Sequence, residues 1–437
     1  MGTFVPGTSA EQDQMLREAG YKNFDSLFAD VPEEVRMKDL PEIPSGKSEM
    51  ETYEDLRGIA SRNKVYRTIL RGAGAYDHYI PSIVDRIASK ETLVTAYTPY
   101  QAEMSQGVLQ QIFEYQSMIC ALTGMDVSNA SVYDGATAAA EGVMMCLERK
   151  RNKILVSGCI DPRIISVIRT YAHGRGAEIE IIPEREGRTD LEQLGTLADS
   201  ETAAVLLAQP NYFGIIEEAE EAGYIIHAAG AKFVLYCEPI SLGLLKTPAA
   251  LGADIAVGEG QPLGIPLSFG GPFLGYMASK AALMRKLPGR IVGETTDSSG
   301  RRAFALTLQA REQHIRREKA SSNICSNEAL CTLRAAVYMS AVGPQGLREV
   351  AVQCSSKAHY LAKKLAEAGL NLAYEKPFFC EFVTEGEKSG EILEALSNNG
   401  ILGGLSLENG RILWCATEKC IAAELDRAAE IVKEVLR

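Results

Sequence analysis

No stretch of this 437-residue chain approaches the roughly 20 consecutive apolar residues that a membrane-spanning helix needs. The opening residues, MGTFVPGTSAEQDQ, lack a basic stretch followed by an apolar core, so they do not read as a secretory signal. Long basic runs and low-complexity tracts are missing too, and a net charge of −12 argues against nucleic acid as a partner. The ten cysteines include no C-x-x-C pair and no Cys/His cluster at zinc spacing, so no metal site is expected. They read instead as small buried hydrophobes of a reducing cytoplasm. His78 and His314 have no visible catalytic partner, and no Ser-His-Asp or Cys-His arrangement can be argued. The most specific gap concerns lysine. None occurs between Lys246 and Lys280, a span that includes a glycine- and proline-rich crossing, EGQPLGIPLSFGGP at 259–272, with Gln261 near its start.

What is present suits a soluble protein with a large core, 46% hydrophobic and 23% charged. Residues 1–70 read as an arm of short helices joined by proline-rich loops. Thr8 or Ser9 can cap a helix ending near Gly20, LPEIPSGKS at 40–48 is a linker, and Ser48 can cap a second helix. Such an arm suits wrapping a neighbour better than folding alone.

From about residue 107, helices alternate with short apolar strands. GVLQQIFEYQSMICALTG repeats its apolar residues at helical spacing and stops at Gly124. KILVSG, EIEIIP, TAAVLLAQP and AKFVLYCEP read as strands, and DPRIISVIRTYAHGRG as a helix with Pro162 in its first turn. This alternation predicts an α/β domain over 71–330 around a mostly parallel, doubly wound sheet. A long helix through LCTLRAAVYMSAV, the strands CEFVTEG and ILWCATE and a closing helix predict a small C-terminal α/β domain over 331–437.

Five segments, in order, carry a resemblance to a known family. They are RGAGAYDHYIPSIV (71–84), TAYTPYQAEMSQG (95–107), NASVYDGATAAAEG (129–142), the 259–272 crossing and LQAREQHIRREKASSNIC (308–325). Together the chain resembles the glycine cleavage system P-protein, a pyridoxal-phosphate (PLP) glycine decarboxylase of fold type I, and looks like its N-terminal half standing alone as a separate subunit. In catalytic members the crossing carries the cofactor lysine; with Pro266 and Gly270-Gly271-Pro272 in register, that lysine falls on Gln261. An amide cannot form a Schiff base. The resemblance also puts Glu238 about where an aspartate supports the pyridine nitrogen. It makes the turn at Gly135, Ala136 and Thr137 the candidate phosphate cradle, although Asp134 can cap that helix itself.

The resemblance therefore implies a chain with a degenerate cofactor site at Gly135, Thr137, Glu238 and Gln261, and PLP held by a subunit 2 partner in an α2β2 assembly. Glycine would be the substrate and the lipoyl arm of H-protein the acceptor. Thr98, Tyr100 and Glu103 are the expected contribution to the partner's site, since loops carry function more often than cores do. The alternatives are a self-sufficient PLP decarboxylase or aminotransferase using an unexpected lysine, and a non-catalytic scaffold. The basic segment Arg301, Arg302, Arg311, Arg316, Arg317 and Lys319 reads as surface and interface salt links, with Arg311 and Glu312 pairing forward with Arg316 at helical neighbours on a solvated face, or as a guide for acidic H-protein or a contact to subunit 2.

Overall fold

A computed structural model of the chain describes residues 7–37, 42–324 and 326–437. The first six residues of the supposed leaderless N-terminus, Leu40 and Pro41 of the linker, and Cys325 lie outside the described residues. The chain divides into two compact units, Met1–Lys64 and Val65–Arg437. In the first, α1 (Ser9–Glu18) and α2 (Glu49–Ala60) each open with a reciprocal capping box, Thr8 with Glu11 and Ser48 with Glu51. Neither helix contributes a buried residue.

The second unit is organised by a seven-stranded sheet. Its strands are β1 (Val127–Ser128), β2 (Lys153–Ser157), β3 (Glu178–Ile182), β4 (Thr202–Gln209), β5 (Lys232–Cys237), β6 (Ile255–Glu259) and β7 (Gly275–Ser279), in spatial order β1-β7-β6-β5-β4-β2-β3. The pairings from β6 through β5, β4 and β2 to β3 are parallel, while β7 runs antiparallel to both its neighbours. Side chains alternate between two cores, as the period of a strand requires. Leu155, Val205, Leu207, Phe233 and Ala256 enter one, and Ile154, Val156, Leu206, Val234 and Val257 the other. Every residue of β4 is buried, which explains why TAAVLLAQ is a continuous apolar run rather than an alternating one.

Three helices matter for the site. α3 (Gln106–Thr123) stops where Gly124 takes φ 72°, a conformation that favours glycine. α4 (Gly135–Met144) follows β1, and α5 (Pro162–Arg175) starts with proline at a position that needs no amide donor. A hairpin, β8 (Ile291–Thr296) with β9 (Arg302–Thr307), leads towards α6 (Ala329–Glu367), which is broken at Gly343 before Pro344. The C-terminal part is an antiparallel sheet of β10 (Asn371–Leu372), β11 (Glu381–Glu385), β12 (Leu405–Ser406) and β13 (Arg411–Cys415), ordered β10-β11-β13-β12. Helices α7 (Ser389–Asn398) and α8 (Ala422–Leu436) supply Ile392, Leu396 and Leu425 to a core with Trp414 and Phe382.

Candidate functional site

Gln261 lies just past the end of β6 and is 2% exposed. Its Oε1 accepts the Tyr76 amide at 2.8 Å, while Nε2 donates to the Tyr76 carbonyl at 3.0 Å and the Ile265 carbonyl at 2.8 Å. The side-chain amide thus acts as a two-way brace between the crossing and the 71–84 segment. Tyr76 is itself anchored, its hydroxyl donating to Glu381 Oε2 at 2.8 Å while the Ala73 amide donates to Glu381 Oε1 at 2.6 Å. Burial pushes the Glu381 carboxyl up to about 7, against those two bonds. Beyond Ile265 the crossing leaves the interior, and Phe269 is 99% exposed.

The start of α4 is equally occupied. Asp134 Oδ1 accepts the Thr137 amide at 2.7 Å, and Glu259 Oε2 accepts the Gly135 amide at 2.8 Å. Glu259 Oε1 takes two more amides, those of Gln261 and Leu274, each at 2.9 Å. Burial pushes the Glu259 carboxyl up to about 7, opposed by these same amide bonds. A Cβ built on Gly135 would meet Tyr236 Oη at 2.5 Å and the Glu259 backbone nitrogen at 2.9 Å. Glycine is needed there for close packing against β5 and β6. Glu238, past the end of β5, folds back on its own turn and accepts the amides of Ile240 (2.9 Å) and Ser241 (2.6 Å). Its carboxyl is raised by burial, with His78 and those amides opposing. Beside Tyr76, Glu238 and Glu381 lies a cavity of about 50 Å3, lined also by Asp161, Pro210 and Tyr236 among others. That volume suits a few waters rather than a drug-sized ligand, which takes roughly 300 Å3 or more.

The Thr98–Glu103 loop is open instead. Tyr97 is 91% exposed and Tyr100 52%, while Thr98 accepts the Tyr100 amide through its carbonyl at 2.8 Å. Glu103 is exposed and borders a surface cleft of about 610 Å3 with Arg301 and Arg302. Tyr97 borders a different cleft of about 260 Å3, with Gln111, Ser326, Asn327 and Leu330. The three expected residues therefore share a loop, and of them Glu103 alone borders either of these two clefts. Tyr100 accepts a hydrogen bond from Arg290 and meets His314 edge-on, with ring centroids 6.3 Å apart.

Two expectations need correction. The forward pairing with Arg316 is replaced at Arg311, which turns inward to cap the Leu287 and Gly289 carbonyls, while Arg301 and Arg302 form surface salt links to Asp297 and Glu294 on the hairpin. Unmet carbonyls there outcompete the forward pair with Arg316. His78 does have a partner. Its Nδ1 lies 2.7 Å from Glu418 Oε2, and Cys354 Sγ donates to the same oxygen at 3.3 Å. Burial would raise Glu418, but His78 holds it at about 2. The ligand-type atoms of these three residues lie within 4.8 Å of one another, a Cys/His cluster that linear spacing could not reveal. The hydrogen bonds among them already occupy those atoms, and the Tyr79 amide takes the other Glu418 oxygen.

Sheet order and the appended C-terminal α/β part define the fold-type-I class of PLP-dependent enzymes. A solved sphingosine-1-phosphate lyase from Burkholderia pseudomallei shares this fold at 14% identity and a TM-score of 0.68, over 93% of this chain and 94% of that one. The family is narrower. The glycine cleavage system P-protein model matches residues 2–432, and the chain belongs to that family. It is 48% identical to a probable glycine dehydrogenase (decarboxylating) subunit 1 from Moorella thermoacetica, over 99% of this chain and 100% of the relative. A crystal structure of glycine decarboxylase (P-protein) of the glycine cleavage system, in inhibitor-bound form, matches with a TM-score of 0.93 and 42% identity, covering 99% of this chain and all of that one. The chain is thus an enzyme subunit of the glycine cleavage system, of the subunit 1 kind.

PLP is the cofactor of this fold class, and the residues here do not fit it. No lysine stands at the crossing, the carboxylate past β5 is committed to its own turn, and the helix amides that could hold a phosphate are taken by Asp134 and Glu259. A phosphate dianion would have to displace one buried carboxylate and lie beside the other. Glu259 was not foreseen from the sequence. Its one signal was position: an acid at the end of an otherwise apolar strand, two residues before Gln261.

Proposed function

We propose that this chain is the cofactor-less half of a glycine-decarboxylating P-protein, inactive alone and active with a subunit 2 that holds PLP. In this reading the assembly, α2β2 and cytoplasmic, decarboxylates glycine and passes the aminomethyl group to the lipoyl arm of H-protein. Thr98, Tyr100 and Glu103 serve the partner's site. The observation that carries the reading is Gln261, whose side-chain amide is engaged at both ends by the Tyr76 and Ile265 backbone. A position so engaged is structural, and it sits where the family's lysine would stand. The exposed loop beside two open clefts supplies the complementary half, polar groups facing away from the chain's own core.

A self-sufficient PLP enzyme would need another lysine. Lys246 and Lys280, at either end of the lysine-free span, are paired with Glu220 and Asp254. The test is direct. The purified chain is titrated with PLP, followed by its visible aldimine absorbance and then by borohydride reduction. The reading predicts no saturable band and no reduced adduct; a stoichiometric, reducible adduct would replace it with the self-sufficient enzyme.

A further inference from the structure

Arg290 immediately precedes β8 and is 3% exposed. Its guanidinium lies over the Tyr100 ring, 5.1 Å from the centroid. Nη2 donates to Tyr100 Oη at 2.8 Å and Nη1 to Ser326 Oγ at 3.1 Å. Nε is buried without a partner among the described residues, and none of the described carboxylates pairs with this side chain. A buried guanidinium without an acid is costly to keep in a fold. In the same neighbourhood the buried Asn327 Nδ2 is another donor without an acceptor among the described residues, on the wall of the 260 Å3 cleft. Donors are in surplus here, and the missing species is an acceptor.

The bond to Tyr100 has a direction. Arginine only donates, and a phenol carries a single hydrogen. Because Tyr100 Oη accepts from Arg290, its own hydrogen is left for a different acceptor, and none of the described residues takes it. Tyr100 is half-exposed as a residue, and its hydroxyl bond to Arg290 is part-buried, so the side chain lies between the interior and the surface of the loop. A cation behind the phenol favours an acceptor that carries negative charge.

We propose that Arg290 is a positioning residue of the composite site: it clamps Tyr100 and commits its hydroxyl to donate outward, to an anionic oxygen of a group carried in the partner subunit's site. The inference rests on the reading that this loop completes that site. The shared chemistry is a carboxylate or phosphate oxygen, from the amino-acid substrate or from the partner's cofactor. Arg290 does not touch the anion; it acts through Tyr100.

The experiment uses the assembled enzyme. PLP-loaded subunit 2 is combined with this chain as wild type, Tyr100→Phe, Arg290→Lys, Arg290→Met and the double variant Tyr100→Phe/Arg290→Lys. Glycine-carboxyl exchange with bicarbonate, in the presence of H-protein, yields kcat and KM for glycine. Sedimentation reports assembly, and dialysis followed by absorbance reports PLP retention. Tyr100→Phe and Arg290→Met should each lower kcat/KM about tenfold, the scale of a hydrogen bond to a charged group. Arg290→Lys, which keeps a charged donor, should recover part of that loss. In the Tyr100→Phe background it should cost nothing further, since the shared hydroxyl is gone. A raised KM for glycine with PLP retained assigns the anion to the substrate carboxylate, whereas faster PLP loss assigns it to the phosphate. Wild-type kinetics and PLP retention in assembled Arg290→Lys and Tyr100→Phe, or losses that simply add in the double variant, overturn the proposal. Should the wild-type chain add nothing to subunit 2, the composite-site reading falls first and this inference with it.

Discussion

Gln261 and Tyr100 are both polar side chains on irregular segments, yet their surroundings run in opposite directions. Around Gln261 the donors and acceptors are matched: the amide braces Tyr76 and Ile265, and Glu259 gathers three backbone amides. Around Tyr100 they are not, because Arg290 presses donors against a half-exposed hydroxyl whose hydrogen has no acceptor among the described residues. Buried polar groups are normally satisfied, so the first arrangement is what a self-contained structural element looks like. The second is what one half of an interface looks like. The proposed division of labour between two subunits rests on that contrast.

The comparison can be broken most forcefully at the closed site. Gln261→Lys supplies the amino group that the proposed reading assigns to this position in catalytic relatives, but it removes three side-chain hydrogen bonds and places a charge in a buried position. We expect a loss of about 3 kcal/mol in urea unfolding, the scale of an uncompensated buried charge, and no borohydride-reducible PLP adduct. A Gln261→Lys chain of unchanged stability that forms the adduct would show that the pocket is latent rather than dismantled.

A smaller effect is expected at the open site. Glu103→Ala should lower exchange activity of the assembled enzyme by about threefold to tenfold, as for the loss of one polar interaction, while the chain's melting temperature and its assembly with subunit 2 stay unchanged. Its exposure, with no ion pair to any of the described residues, is the reason to expect separable effects. Normal turnover would make that end of the loop structural.

The smallest effect is a pH dependence. The Glu259 carboxyl rises to about 7 in the folded chain from an ordinary 4.5. Its contribution to stability is therefore fully present below pH 4.5 and is lost as pH rises through about 7. Glu259→Gln puts an NH2 group in place of one of the two carboxyl oxygens that accept backbone amides in the neutral acid present near pH 5, so at least one amide loses its partner at a cost of about 1 kcal/mol. The deficit relative to wild type should be largest near pH 5 and narrow towards pH 7.5 in thermal unfolding. A deficit that widened with pH would mean the carboxylate is held charged, as a true phosphate surrogate.

Much of the fold was legible because local rules and burial agree. Gly124 ends its helix, Pro162 opens one, Thr8 and Ser48 cap theirs, and the β4 run is apolar because both of its faces are covered. At the site, the Asp134 cap could be read from linear order. Glu259 and Arg290 could not, since their roles depend on residues more than 100 positions away, Gly135 and Tyr100. The same holds for His78 and Glu418, separated by 340 residues. The forward pair of Arg311 and Glu312 with Arg316 failed for a related reason, because the Leu287 and Gly289 carbonyls, more than 20 positions away, claimed Arg311. Periodicity reports which face is buried; it does not report which distant group completes a hydrogen bond.

The central claim is that this chain, without a cofactor of its own, completes the site of another. The most direct measurement is glycine-carboxyl exchange with bicarbonate by PLP-loaded subunit 2 and H-protein, with this chain titrated in after treatment that strips any PLP from it. The account predicts negligible exchange by subunit 2 alone and saturable activation at a fixed stoichiometry by the stripped chain. Full activity of subunit 2 by itself, or activation only after PLP is restored to this chain, would contradict it.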